Sequence, residues 1–291
     1  MAITCRKYNH VNDYKGVCEF LEETYSAYGT RFNNNITLFE FQCALSRGKE
    51  GNLKNLHEIF NNIFLCFDED KLVGILMDEN VCLAADYRYI FKDIVDVNNE
   101  SMEYEIFEGD NDFENVLESK GYYKTEEYYV LRDMDCNSIV DVPNLPEGFY
   151  VKLVSDLNQH DRVYKAYKLC YGILFNKIIF KNFYETSTYR KELDIVIMSP
   201  DDEVVALCSG RYDEKNKMVS IEAVSCYPEY RKKGISKAMI LYVINEAKKL
   251  GADKVTVLTA MPEKYPAPNR LYESAGFKIV GKLYTWKKRT E

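Results

Sequence analysis

The chain has 291 residues, of which 46% are hydrophobic and 29% charged, a size that points to two domains and a composition that excludes a mainly disordered or collagen-like chain. Its formal net charge of −8 is unevenly divided, with 13 basic against 27 acidic side chains in residues 1–140 and 25 against 19 in residues 141–291. The acidic half repels phosphate and so speaks against nucleic acid as a partner, and no apolar run reaches the roughly 20 residues that span a bilayer.

In chain order, Ile3–Tyr8 reads as a short strand, followed by a helix from Asn12 or Asp13 through Leu21. A hairpin follows, with strands Ile63–Phe67 and Leu72–Leu76 about a turn at Asp68-Glu69-Asp70. This half closes on Glu118-Ser119-Lys120-Gly121-Tyr122 and a final strand. Residues 141–148, D-V-P-N-L-P-E-G, hold the first two prolines of the chain and a glycine, and read as the linker. The same plan then repeats. Tyr150–Val154 is a strand and about 158–171 a helix; Ile195–Met198 and Val204–Leu207 form a hairpin; Glu273-Ser274-Ala275-Gly276-Phe277 precedes the last strand. Four landmarks in the same order predict an internal duplication, with domains over 1–140 and 141–291.

The most informative segment is Ser220–Met239, S-I-E-A-V-S-C-Y-P-E-Y-R-K-K-G-I-S-K-A-M. An alternating strand meets a proline, then a basic turn with a glycine, then a helix that runs to about Leu250 and stops at Gly251. A strand–turn–helix of this kind offers free backbone N–H groups and the positive helix end to an anion. Without its neighbours, the turn could equally be the basic cap of an ordinary helix. Neither G-x-x-x-x-G-K-[ST] nor G-x-G-x-x-G is present there, which speaks against nucleoside triphosphate and nicotinamide chemistry.

P-E-Y-R-K-K-G-I-S-K-A-M resembles the acyl-CoA-binding motif of the GNAT N-acetyltransferases, [RQ]-x-x-G-x-[GA]. Leu271–Phe277, L-Y-E-S-A-G-F, is similar to the family's second signature, at the expected distance beyond an intervening strand Lys254–Thr259. The resemblance covers about residues 148–289. It implies an α/β (α+β) fold of two tandem GNAT-like domains, each a mixed, mostly antiparallel sheet flanked by helices. In the first half the corresponding stretch, roughly residues 82–105, has no glycine and little positive charge, and Leu117 stands where the second half has Tyr272. That half is expected to be a degenerate copy without acyl-CoA.

The resemblance also implies roles. Backbone groups of Arg231, Lys232, Lys233, Gly234, Ile235 and Ser236 cradle the CoA pyrophosphate, with Ser236 in place of the usual final Gly or Ala. Val224, Ser225 and Cys226 pair with the pantetheine arm as an added strand would, and an N–H there polarises the thioester carbonyl. Tyr272 protonates the departing thiolate, or else is one aromatic among 24 tyrosines. Glu222 is the candidate base, placed by period two on the face of Val224 and Cys226; an ordinary paired glutamate is the competing reading. Asn269 is a further candidate for CoA contact, although Tyr265 and Pro268 occupy the family's Asn and Ala places. The acceptor pocket falls at about Cys170–Arg190 and Met261–Pro268.

The nine cysteines are scattered without C-x-x-C spacing, and the three histidines are isolated. Each cysteine is therefore expected to be a small buried residue, with no metal site and no Cys–His nucleophile. The start, M-A-I-T-C-R-K, lacks the apolar core of a signal peptide. Together these readings predict a cytoplasmic N-acyltransferase that moves an acetyl group directly from acetyl-CoA to a primary amine, without nucleic acid or membrane partners. The alternative is a non-catalytic acyl-CoA-binding sensor or scaffold. The division of charge has a bland reading, a solvated surface, and a sharper one, an anionic ligand on the second half and a cationic one facing the first; charge alone does not choose.

Overall fold

The computed structural model describes residues 3–28, 34–47, 60, 62–77, 79–97, 103–138, 142–157, 160–172 and 175–289. The expected helix start near 158, the linker's first residue Asp141 and residues 98–102 of the first half's corresponding stretch 82–105 lie outside them.

The first half contributes strands β1 (Ile3–Lys7), β2 (Ile63–Asp68), β3 (Lys71–Met77), β4 (Asn80–Leu83), β5 (Glu103–Phe107) and β6 (Tyr122–Asp135). Its helices are α1 (His10–Tyr28), α2 (Ile36–Arg47), the short α3 (Phe91–Ile94) and α4 (Asn111–Ser119). The second half has β7 (Tyr150–Leu153), β8 (Tyr189–Met198), β9 (Val204–Asp213), β10 (Met218–Cys226), β11 (Lys254–Ala260) and β12 (Lys278–Lys288), with α5 (His160–Tyr171), α6 (Lys177–Tyr184), α7 (Ile235–Lys249) and α8 (Pro266–Ser274). Both predicted hairpins are present. The first helix is longer than its apolar pattern indicated, because it continues past Leu21 through the buried Thr24 and Tyr25.

The strands form two sheets, β1-β2-β3-β4 and β5-β12-β6-β11-β10-β9-β8-β7. The second crosses the division between halves. β6 lies between β11 and β12, antiparallel to both, and β12 lies between β5 and β6. Each half thus lends its last strand to the other. The side chains follow: Trp286 of β12, 2% exposed, packs with Tyr104, Phe113 and Tyr122 of the first half, while Met134 of β6 joins the core beneath α7. From Val130 to Asp135 the burial of β6 alternates with period two, as a strand with one face on a core requires.

One expectation fails in the first sheet. Cys5 and Cys66 are directly opposite each other on β1 and β2, with Cα atoms 4.2 Å apart, and are joined by a disulfide rather than packed as separate thiols. The pairing register brings them together across 61 residues. The linker also does more than connect. Leu145 packs on the second half's core, and just beyond the linker the Phe149 ring meets Tyr230 edge-on at 6.0 Å.

A fragment of residues 141–291 would carry a gap where β6 belongs. The two ladders amount to ten or more backbone hydrogen bonds at about 1 kcal/mol each, comparable with the 5–15 kcal/mol net stability of a whole domain. The isolated fragment should therefore show no cooperative thermal transition by circular dichroism, and co-expression with residues 1–140 should restore one. A cooperative melt of the fragment alone, at the full-length Tm, would show that the borrowed strand is dispensable.

Candidate active site

β10 and β11 run parallel and pair only from Met218 to Ser220 with Lys254 to Thr256. Beyond Ser220 they diverge, and the edge of β10 that faces β11 carries no further ladder. On its other edge, Val224, Ser225 and Cys226 remain paired with Cys208, Leu207 and Ala206 of β9. A strand edge open on one side can accept an extended chain.

The strand is bulged at Glu222: Ile221 faces Gly210 of β9 and Ala223 faces the next residue, Ser209, leaving Glu222 unmatched. The bulge lies just before the run Glu222–Cys226, in which half-buried Glu222 and Val224 alternate with buried Ala223 and Ser225. Ile221, Val224 and Cys226 pack in the core beneath α7, whereas Ala223 packs with α5 and α6 and Ser225 Oγ donates to the Ala166 carbonyl at 3.0 Å. The alternation flips at the bulge. The Glu222 carboxylate meets Ser220 and accepts from Thr37 Oγ1 of α2 at 3.5 Å, with the guanidinium of Arg211 nearby. Burial pushes the Glu222 carboxyl above its ordinary range, and the hydroxyls and Arg211 offset that only in part.

The exit of β10 is a turn with two left-handed residues, Lys232 at φ 60° and Gly234 at φ 80°. Gly234 is the N-cap of α7 and no side chain caps that helix, so its first N–H groups stand open beside Arg231, Lys232 and Lys233. A Cβ on Gly234 would meet nothing within 4 Å, which leaves the approach to these N–H groups clear. Arg231 Nε returns to the Cys226 carbonyl at 3.0 Å and ties the turn to the strand. At its far end α7 closes with the Ala252 N–H on the Ala247 carbonyl and the Gly251 N–H on Lys248, a Schellman end with Gly251 at φ 92°. The helix is thus fixed at its C-terminus and chemically free at its N-terminus. Such a turn and such an edge fit the pyrophosphate and pantetheine arm of an acyl-CoA.

The L-Y-E-S-A-G-F segment has the same physical basis. Phe277 N–H bonds to the Tyr272 carbonyl and Gly276 N–H to Glu273, both at 3.0 Å, with Gly276 at φ 99°. The apolar contact that accompanies this kind of helix end is Tyr272 on Phe277, edge-on at 5.3 Å. The motif therefore locks the ring of Tyr272, which is 5% exposed, at the end of α8. Burial holds its phenol strongly protonated. Cys226 is 8% exposed and its thiol is also pushed up by burial, the opposite of what an attacking thiolate needs.

Asn269 has a different task from the cofactor contact expected of it. Its oxygen accepts from Thr259 Oγ1 at 2.8 Å and Arg132 Nη2 at 3.1 Å, and its nitrogen donates to the Ala260 and Tyr265 carbonyls, each at 2.8 Å. At 3% exposure, with these four bonds made inside the chain, it pins α8 to β11 and to the borrowed β6.

Three residues of the first half reach this site without any signal in local spacing: Arg132, Thr37 and Glu40. Glu40 of α2, 1% exposed, accepts from the backbone and hydroxyls of Ser187 and Thr188 at 2.7–3.1 Å and from Tyr14 at 2.7 Å. Phe41 stacks on Phe183 of α6 at 4.9 Å, and Asn182 donates to the Ala44 carbonyl at 3.2 Å. The predicted acceptor region is therefore walled by α2. The one hint was a single acid among the apolar residues of I-T-L-F-E-F-Q-C-A-L, which must find partners once buried.

Residues 160–277 match the profile of the Acetyltransferase (GNAT) family. No curated protein matches the sequence. Among solved structures, a GCN5-related N-acetyltransferase from Sphaerobacter thermophilus is 14% identical with a TM-score of 0.64, over 98% of this chain and 95% of that one. A GNAT-family acetyltransferase from Colwellia psychrerythraea is 10% identical with a TM-score of 0.62, over 99% and 100%. A tandem GNAT protein from the clavulanic acid biosynthesis pathway is 10% identical with a TM-score of 0.60, over 98% of each chain. At these identities the likeness is one of fold, and it extends over both halves. The chain is thus a tandem GNAT-fold protein whose second half, over residues 160–277, is an acetyltransferase (GNAT) family domain.

Proposed function

We propose that the second half transfers an acetyl group from acetyl-CoA to a primary amine, and that the first half is a degenerate copy without acyl-CoA. The observation that carries this reading is the opening of β10 from β11 directly beside an uncapped helix and a basic turn. When bound there, acetyl-CoA supplies the activated acyl group. The N–H groups of residues 232–236 hold its phosphates, and the free edge of Val224–Cys226 orients the arm. Glu222, in its bulge, takes a proton from the amine directly or through water, and Tyr272 Oη gives one to the departing thiolate. The proton balance closes, since one is lost at the amine and one is gained at sulfur. Transfer is direct, because the Cys226 thiol is neutral and packed.

Binding is tested first. Calorimetry should give one acetyl-CoA per chain, and Gly234→Glu should abolish it by placing a carboxylate among the open N–H groups. Gly234→Ala carries the backbone cost of φ 80° without the charge, and should retain binding. A stoichiometry of two would overturn the degenerate first half. Catalysis is tested by thiol release over a panel of amines. Tight binding with no turnover on any amine would favour a sensor.

Tyr272→Phe keeps the contact with Phe277 and removes only the hydroxyl. It should lower kcat about 10²-fold with acetyl-CoA affinity nearly unchanged. A wild-type kcat would leave Tyr272 as packing alone.

Glu222 must be ionised to act, and burial raises its pKa. Activity should therefore rise with pH through a limb above the ordinary carboxylate range, and that limb should vanish in Glu222→Gln along with about 10²-fold of kcat. A limb that persists unchanged in the variant belongs to the amine and would remove Glu222 from the reaction.

A further inference from the structure

The opening between β10 and β11 has two banks. Ser220 and Thr256 are the last pair before it, so Glu222 and Leu258 stand two residues beyond that pair on opposite sides. Thr256 Oγ1 meets Met218 Sδ at 3.4 Å, and Met218 packs with Ile36 and Phe39 of α2. Leu258 alternates onto the same face, and the Glu222 carboxylate accepts from Thr37 of that helix. Leu258 is 37% exposed, although β11 is an inner strand of the eight-stranded sheet and its neighbours Val257 and Thr259 are buried. A single exposed leucine is ordinary; a row of apolar side chains leading away from the reacting centre is a surface with a direction.

Strand register supplies the row. Leu258 pairs with Leu131 of β6, and Ala260 pairs with Tyr129, which is 38% exposed. Leu131 pairs in turn with Gly281 of β12, and Tyr129 with Leu283. Leu283 pairs with Phe107 of β5, whose ring covers Gly281: a Cβ there would meet it at 3.2 Å. Directly paired residues share one face of a sheet, so Leu258, Leu131, Tyr129, Leu283 and Phe107 lie in one apolar row across four strands. The row ends at a cavity of about 380 Å³ between β4 and β5, which Leu283 and Phe107 help to line. Three strand spacings, roughly 14 Å, separate its two ends. The start of α2 borders both ends, since Thr37 meets Glu222 and Asn34, just before the helix, lines the cavity. Tyr265, from the predicted acceptor stretch 261–268, lies near the Tyr129 hydroxyl.

We propose that this row seats the body of the acceptor, a primary amine with an extended apolar chain, whose nitrogen sits at Glu222 and whose chain runs over Leu258 and Tyr129 toward the cavity of the first half. The inference rests on the acyl-transfer reading and adds to it the class of acceptor. The transfer itself is unchanged. The first half, without an acyl-CoA cradle of its own, then selects which amine reaches the thioester of the second.

The probes are butylamine, hexylamine and octylamine, each below its micellar concentration, with the full chain and acetyl-CoA. kcat/KM should rise about two- to fourfold per added methylene, through KM with kcat nearly constant. Leu258→Gln and Tyr129→Ser alter exposed side chains. Each should cut the advantage of octylamine over butylamine at least about fivefold, with butylamine turnover and acetyl-CoA affinity unchanged, a pattern that a merely structural role would not give. Octylamine binding, followed calorimetrically with CoA present, should weaken alike in both variants, so the row is tested even if no amine turns over. Absence of turnover with that binding intact overturns the acyl-transfer reading alone. The row is overturned by a rate independent of chain length, by an octylamine advantage and affinity that survive in either folded variant, by the absence of saturable octylamine binding, or by triglycine outperforming octylamine.

Discussion

The structure depends on an exchange of strands. β6 closes the sheet of the second half and β12 closes that of the first, so neither half has a complete sheet of its own. Nearly everything placed around the β10–β11 opening is referred to that exchange. Arg132 rides on β6 to meet Asn269, Asn269 holds the start of α8, and α8 carries Tyr272. On the opposite side of β10, α2 fastens itself to Ser187 and Thr188 through Glu40 and brings Thr37 to Glu222. A chain of buried polar contacts, anchored at Arg132, Thr37 and Glu40 of the first half, thus sets the geometry of groups that sequence motifs alone place on the second.

The two halves share a frame and differ at its opening. In the second, a glycine-containing turn, three cations and an uncapped fifteen-residue helix gather positive potential at the end of a strand. In the first, the equivalent position has a 3-10 turn, Ala85–Ile90, in which Asp86 and Arg88 balance, and no glycine. Backbone divergence creates the space in both, and side-chain charge decides what can occupy it.

Much of this was legible in the sequence because it is local. The hairpins follow period-two patterns around Asp68–Asp70 and Pro200–Asp202. The ends of α7 and α8 are written in Gly251 and Gly276, which the chain needs in the left-handed region. The basic turn is continuous over six residues. The bulge at Glu222 was not legible, since a register shift depends on the partner strand β9 rather than on the residues of β10. Nor was the strand exchange, because β6 and β12 pair across some 150 residues and each would satisfy its alternation equally well in its own half. The Cys5–Cys66 bond and the partners of Glu40 escaped for the same reason: both are facts of long-range register.

The exchange of β6 and β12 bears on the order in which the chain can acquire its structure. The first half cannot close its sheet when its own residues emerge from the ribosome, because the strand between β5 and β6 is β12, made well over a hundred residues later. Translation proceeds at about 5–20 residues per second, so roughly 8–30 s separate the completion of β6 from the arrival of the end of β12. Throughout that interval β5 and β6 stand with an unfilled gap between them, an edge open to mispairing. The acidic side chains concentrated in residues 1–140 lie on the segment that waits, where like charge opposes association between neighbouring chains.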